Sequence, residues 1–231
     1  MKPVSLLFLF LFIAALAMDC VLVINQPESN WRYLSKGLLM PLLFMIITFE
    51  IEQTDKWVSV RLISLALLFS FIGDLVLLGD DTKSYFALGL GFFLLAHICY
   101  ILFFYRKRPF RKKNSVFLFS MSIGILSLVL GETVLMWPKM ERQGLAIPVI
   151  MYCLTIGFML LCAANLTQSQ RLHKNAVLFF VPGTLLFIIS DSIIGLNRYY
   201  FPRPLPGITI MLTYAAAQFL IVMGAIRFIR K

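Results

Sequence analysis

Eight apolar runs, each about as long as a bilayer is thick, constrain this chain more than any other feature. A helix crossing the hydrocarbon core needs about 20 mainly apolar residues. Runs of that kind fall at 4–24, 34–51, 58–79, 84–105, 116–136, 145–164, 175–197 and 207–229, the second being the shortest. Hydrophobic residues make up 60% of the 231 and charged residues only 14%, against about 25% charged in soluble domains. So much Leu, Phe and Ile has nowhere to go but lipid. No stretch is left for a separate soluble domain, so residues 1–231 are expected to form a single transmembrane domain. The fold class is all-α: a polytopic membrane helix bundle of about eight transmembrane helices. The runs are apolar on every face, as lipid-immersed helices are. Pro41, Pro148 and Pro182 lie inside them, where neighbouring helices re-satisfy the freed backbone groups.

The first run follows Lys2 and contains Ala15-Leu16-Ala17, features of a signal peptide. It continues apolar through residues 21–24, longer than a signal needs, so a retained first helix is expected. The net charge is +10. The cations sit in short loops, without a basic helix or aromatic-interleaved patch, which argues against nucleic acid. Alternate loops differ in charge. Lys2, Lys56, Arg61, Arg106, Lys107, Arg108, Arg111, Lys112, Lys113, Arg171, Lys174, Arg227, Arg230 and Lys231 lie on one side; Arg32, Lys36, Lys83, Lys139, Arg142, Arg198 and Arg203 lie on the other. The richer side is cytoplasmic by the positive-inside rule. This predicts both termini in the cytoplasm, with a bacterial inner membrane as the expected location.

The four Cys (Cys20, Cys99, Cys153 and Cys162) lie inside apolar runs without a CxxC pair and read as small core residues. Of two His, only His97 is in a run. No metal site or cofactor is expected, and no protein partner is inferred. A GxSxG elbow, a Walker loop and HExxH are absent from the sequence. Gly89-Leu90-Gly91 lacks a third glycine and a preceding strand, and reads as close helix packing.

A charge at mid-membrane costs about 2.5–3.5 kcal/mol on insertion scales, so ionisable residues inside the runs are functional candidates. Asp74 follows Ser70-Phe71-Ile72-Gly73, and Asp191 follows Phe187-Ile188-Ile189-Ser190. His97 and Tyr100 share a helix face, as do Tyr214 and Gln218. Lys36 stands near the start of the second run, where it would also snorkel to headgroups, and Asp19 in the first. Arg198 shares a face with Asp191 and Thr184 at seven-residue steps. Asp74 and Asp191 are each expected roughly 8–9 Å from the outer helix end at 1.5 Å per residue. The polar set would then line one cavity opening outward. Asp74 to His97 spans the same interval as Asp191 to Tyr214. A shift of 117 roughly superposes the first four runs on the last four, predicting a 4+4 parallel internal repeat.

At these residues the chain resembles a known family. Gly73-Asp74, the stretch from Gly89 to Tyr100 (GLGFFLLAHICY), the stretch from Leu186 to Ser192 (LFIISDS) and that from Leu212 to Gln218 (LTYAAAQ) look like the signature of the YhhN-like lysoplasmalogenases. Lys36 with Pro41 is similar to that family's second-span motif, which has Pro directly after the Lys where Gly37 stands here. The resemblance implies a hydrolase of the vinyl-ether bond of lysoplasmalogens, releasing a fatty aldehyde and a glycerophospho-ethanolamine or -choline. It implies a lysophospholipid substrate, membrane lipids as surroundings and no cofactor.

That reaction needs a proton on carbon and then water on the resulting oxocarbenium-like cation. Two carboxyl groups in different protonation states suit it, as in glycoside hydrolysis. The expected catalytic pair is Asp74 and Asp191, either of them the acid. His97, Tyr100, Tyr214 and Gln218 would orient water or the glycerol hydroxyl, and Lys36 or Arg198 would hold the phosphate. Two other readings stay open from the residues alone. One is a transporter or lipid-translocating protein using buried Asp and His; the other is an intramembrane aspartyl protease. A third reading, a structural or scaffold role, leaves the buried carboxylates unexplained.

Overall fold

The computed structural model describes residues 2–51, 54–79, 82–110, 115–201 and 205–230. Arg111, Lys112, Lys113, Arg203 and Lys231, part of the charge asymmetry, lie outside the described residues. Among the described residues there is no strand. Eight helices carry the fold: α1 Pro3–Asn25, α2 Trp31–Glu50, α3 Thr54–Leu77, α4 Lys83–Lys107, α5 Ser115–Gln143, α6 Ala146–Asn165, α7 His173–Tyr199 and α8 Gly207–Ile229. Each contains a segment long and apolar enough to cross a membrane, so the protein is an integral multi-pass membrane protein. Lipid offers no hydrogen-bond partners, and the helix is the open-chain conformation that satisfies its own backbone.

Most helix ends fall within a few residues of the apolar runs. The exception is α5, which continues past residue 136 and through Pro138 to Gln143. It stops where Gly144 adopts φ +68°. There the Leu145 N–H donates to the Met140 carbonyl at 3.0 Å and the Gly144 N–H to the Glu141 carbonyl at 2.9 Å. This is a Schellman termination, in which a glycine takes the left-handed conformation. The hydropathy pattern signals a lipid boundary, whereas this helix ends on its capping chemistry. Inside α7, a π-helical turn over Ala176–Phe180 precedes Pro182.

Neighbouring helices pair as antiparallel hairpins α1–α2, α3–α4, α5–α6 and α7–α8. Contacts of α8 with α1 and α2, and of α4 with α6, join the first half of the chain to the second. By contrast, α5 rests on α6 and α7 and is the least buried helix. The tightest hairpin, α3–α4, depends on small residues. A Cβ on Gly73 would stand 2.9 Å from the Phe93 ring, and one on Gly89 would stand 2.6 Å from Leu77. The expected close packing therefore holds at Gly89. Gly91 has nothing within 4 Å of where its Cβ would be.

Polar contacts fasten both ends of the bundle. Buried Asp19 of α1 accepts from Ser35 Oγ at 2.8 Å and Arg32 Nε at 3.3 Å, both on α2. At the opposite end, buried Glu50 of α2 accepts from the Lys2 backbone N–H at 2.9 Å and from Arg230. The middle is aromatic. Phe187, fully buried, meets Phe93, His97, Tyr100 and Tyr214 edge-on with centroid separations of 4.7–6.5 Å, an arrangement aromatic rings favour.

Helix ends also correct the expected equal depth of the two carboxylates. α3 ends three residues beyond Asp74 and α7 eight residues beyond Asp191. At 1.5 Å per residue these are about 4.5 and 12 Å, so Asp191 sits deeper relative to its helix end.

Candidate active site

The first carboxylate, Asp74, is 1% exposed and has both oxygens engaged. Lys36 Nζ of α2 lies 3.2 Å from Oδ1, and the Tyr214 hydroxyl of α8 donates to Oδ2 at 2.7 Å. One helical turn deeper, Gln218 Nε2 donates to Ser70 Oγ at 3.0 Å, and the Tyr100 hydroxyl donates to Gln218 Oε1. Residues four apart on α3 (70 and 74) thus meet residues four apart on antiparallel α8 (218 and 214), as helical periodicity allows. Tyr214 and Gln218 share a face, as expected.

The second carboxylate, Asp191 of α7, is held from α6 and α4. Tyr152 donates its hydroxyl to Asp191 Oδ2, and His97 Nε2 lies 3.5 Å from the same oxygen and 2.9 Å from the Tyr152 hydroxyl. His97 Nδ1 is buried without a hydrogen-bond partner among the described residues. Of the pair expected on one face of α4, His97 joins the Asp191 cluster and Tyr100 the Asp74 cluster.

Both clusters flank the phenyl ring of Phe187, with His97 4.7 Å and Tyr214 5.5 Å from its centroid. Each carboxylate draws one partner from its own half of the chain (Lys36 for Asp74, Tyr152 for Asp191). Each draws another from the opposite half: Tyr214 for Asp74, His97 for Asp191.

Two spaces adjoin this core. A cleft walled almost entirely by apolar side chains runs between α3–α4 on one side and α5, α6 and α7 on the other. Its walls include Leu77, Phe86, Leu90, Phe93, Ile125 and Met136, with Asp191, Tyr152, Ser192 and Glu132 among its few polar groups. The second space is a vestibule lined by Arg32, Lys36 and Arg198 together with Asn197 and Gln143. Leu77, Phe86 and Ile194 belong to both. The expected single cavity is thus two adjoining ones. Asp191 lines the cleft, while Asp74 lines neither space but holds Lys36, which lines the vestibule. Arg198 stacks over Phe86 at 4.2 Å. Thr184, predicted on the same face, instead donates its hydroxyl to carbonyls of Phe180 and Val181 at 2.9 Å.

Tyr152 and Glu132 are absent from the sequence-derived set. A tyrosine in an apolar run is at home in any core, so nothing local marks Tyr152. The cost criterion that selects Asp74 would also have selected Glu132, an acid inside the fifth run. Cys20, Cys99 and Cys162 are buried and free, as expected of core residues; Cys153 borders the cleft. Among the described residues no group of three or more His, Cys, Asp or Glu could hold a metal ion.

Fold and site together define a polytopic helical membrane protein whose two acidic clusters lie back to back, beside an apolar cleft and a basic vestibule. The chain belongs to the YhhN family, whose model matches residues 31–225. It is 31% identical over 161 residues to a protein named lysoplasmalogenase from Mycobacterium bovis, covering 69% of this chain and 58% of that one. It is 31% identical over 169 residues to the human protein named lysoplasmalogenase TMEM86A, covering 73% and 66%. The bovine TMEM86A is 32% identical over 170 residues, again covering 73% and 66%. The chain thus spans less than two thirds of the length of these relatives. No solved structure matches it.

Proposed function

We propose that the whole chain works as one membrane-embedded lysoplasmalogenase, hydrolysing the vinyl-ether bond of a lysoplasmalogen to a fatty aldehyde and a glycerophospho-ethanolamine or -choline. The observation that carries this reading is the junction of the two spaces. An apolar cleft with Asp191 in its wall suits an alkenyl tail, and a vestibule with Arg32, Lys36 and Arg198, sharing Leu77, Phe86 and Ile194 with that cleft, suits a phosphate. A single-tailed phospholipid has that polarity pattern, with its vinyl-ether bond between tail and headgroup. The relatives named lysoplasmalogenase favour hydrolysis over lipid translocation.

In this mechanism Asp191, in the cleft, delivers a proton to the vinyl carbon distal to the ether oxygen. Positive charge develops on the carbon bonded to that oxygen, and Asp74 supplies compensating negative charge from beside Lys36. Water adds at the charged carbon, and the hemiacetal collapses to the aldehyde as the glycerol oxygen leaves with a proton. Tyr152 and His97 fix the Asp191 carboxyl group, as positioned acids require. Tyr214, Gln218 and Tyr100 fix Asp74 and Lys36. Lys36 with Arg198 holds the phosphate, and the tail lies along Leu90, Phe93 and Ile125.

The decisive assay gives purified protein a lysoplasmalogen and, separately, a lysolipid with the same tail in ester linkage. Aldehyde from the first and no fatty acid from the second is expected; fatty acid from the ester, or no aldehyde, would sink the proposal. We further infer a bacterial inner-membrane location with both termini cytoplasmic, from the Lys and Arg asymmetry. A reporter fused after residue 110 should read as cytoplasmic, and an external signal would reverse the topology.

A further inference from the structure

One acidic side chain in the cleft has no part in the chemistry above. Glu132 lies in the middle of α5, more than two turns from either end of that helix. Its neighbours on the cleft wall from the same helix, Ile125, Leu128, Val129 and Met136, are all apolar. A carboxyl group inside an apolar run, here about one turn from the run's end at residue 136, carries an insertion cost and persists where it has work to do. α5 is the least buried helix and packs chiefly on α6 and α7, so the fold asks little of a polar group there. Glu132 shares the cleft wall with Ser192 and Asp191 and lies near enough to Asp191 for the two carboxyl groups to interact electrostatically. Asp191 therefore has His97 and Tyr152 at its Oδ2 and shares the cleft wall with Glu132.

Asp74 is poorly placed to handle water, since Lys36 and Tyr214 occupy both its oxygens and it does not line the cleft. Adding water to an oxocarbenium-like carbon calls for a second carboxyl group across the reacting bond from the acid. We propose that Glu132 is that group: the catalytic base that takes the proton from the attacking water, in the wall of the cleft that also holds Asp191. This rests on the hydrolytic reading above and assigns its second step.

The protons balance over one turnover. Protonated Asp191 gives its proton to the vinyl carbon and becomes a carboxylate. The water oxygen bonds to the cationic carbon while its proton passes to the Glu132 carboxylate, leaving a neutral hemiacetal. Asp191 then accepts the hemiacetal hydroxyl proton as the C=O bond forms. Glu132 returns its proton to the departing glycerol oxygen as the C–O bond breaks. Both groups end as they began, and neither oxidant nor metal is consumed.

The test separates the two steps. Glu132→Gln, which keeps the size of the side chain, should lower kcat about 100-fold or more, the usual contribution of a positioned base. KM should stay within about two-fold of the wild type, and Glu132→Asp should recover part of the rate. In D2O, the Gln variant should return unreacted lysoplasmalogen carrying deuterium at the vinyl carbon, because the cation forms and, without water addition, reverts. A merely structural role would produce no such exchange. The proposal is overturned if Glu132→Gln turns over at the wild-type rate, if only KM changes, or if activity falls without exchange. Should Glu132→Gln fail to fold, Glu132→Asp decides: a several-fold kcat loss at unchanged KM, with deuterium in the recovered substrate, supports the assignment, and an unchanged kcat overturns it. Absence of aldehyde from the wild type would overturn the hydrolytic reading itself, whereas an active wild type with an equally active Glu132→Gln overturns this assignment alone.

Discussion

Asp191→Asn is expected to lower aldehyde release from a lysoplasmalogen by about 10³-fold, within the 10²–10⁴ range of positioned acid–base groups. The amide has the same shape and still accepts from Tyr152, so the helices should keep their arrangement; what it lacks is a transferable proton. Thermal melting of the purified protein in detergent should therefore change little while kcat collapses. The variant should also fail to exchange deuterium into recovered substrate, because the first protonation is what it has lost. A near-native rate of aldehyde release from Asp191→Asn would remove the acid from the mechanism. Loss of rate accompanied by a large fall in melting temperature would reassign the residue to holding α7 against α4 and α6.

Lys36→Met should have the largest effect on stability of any single change at the site. It leaves Asp74, 1% exposed, with Tyr214 as its one remaining partner at the carboxylate. Breaking a buried ion pair by removing one member costs about 3–5 kcal/mol, most of it the penalty of the charge left behind. The double variant Lys36→Met with Asp74→Asn should regain most of that stability, since the uncompensated charge is gone. It should remain inactive, having lost both the phosphate contact and the negative charge. Denaturation midpoints of the two single variants and the double variant form a double-mutant cycle that reads the coupling directly. If the double variant is no more stable than Lys36→Met, the pair is not what holds α2 to α3 at this depth.

The two acidic clusters differ in kind. Asp74 belongs to a closed network tying α2, α3, α4 and α8 together through Lys36, Tyr214, Ser70, Gln218 and Tyr100. Such a network, buried and satisfied, fixes helix positions. Asp191 stands at the edge of open space, its side chain 11% exposed. An acid at a cleft wall beside a rigid network matches the general requirement that a reacting group be held by supports that do not move. Phe187 serves both clusters by packing one aromatic ring against His97 and Tyr214.

Much of the architecture was legible in the residues. Eight helices, their approximate ends and the candidacy of Asp74, Asp191, His97, Tyr214 and Gln218 follow from two costs that any bilayer imposes. Backbone groups must be paired within the segment, and each polar side chain in lipid must have a reason to be there. Both costs act on a residue through its position along its own segment, so a linear string records them. The α5 end was misread because hydropathy reports the lipid boundary and not the Gly144 cap.

The partnerships belong to the tertiary structure. That Asp74 meets Tyr214, 140 positions away, that His97 and Tyr100 separate into different clusters, and that Tyr152 and Glu132 border the same cleft as Asp191 all depend on how the helices are rotated and spaced. A helix apolar on every face can rotate about its axis with little change in solvation by lipid. Its final azimuth is therefore decided by interlocking side chains such as Gly73 against Phe93, and by hydrogen bonds that exist only once the bundle has closed.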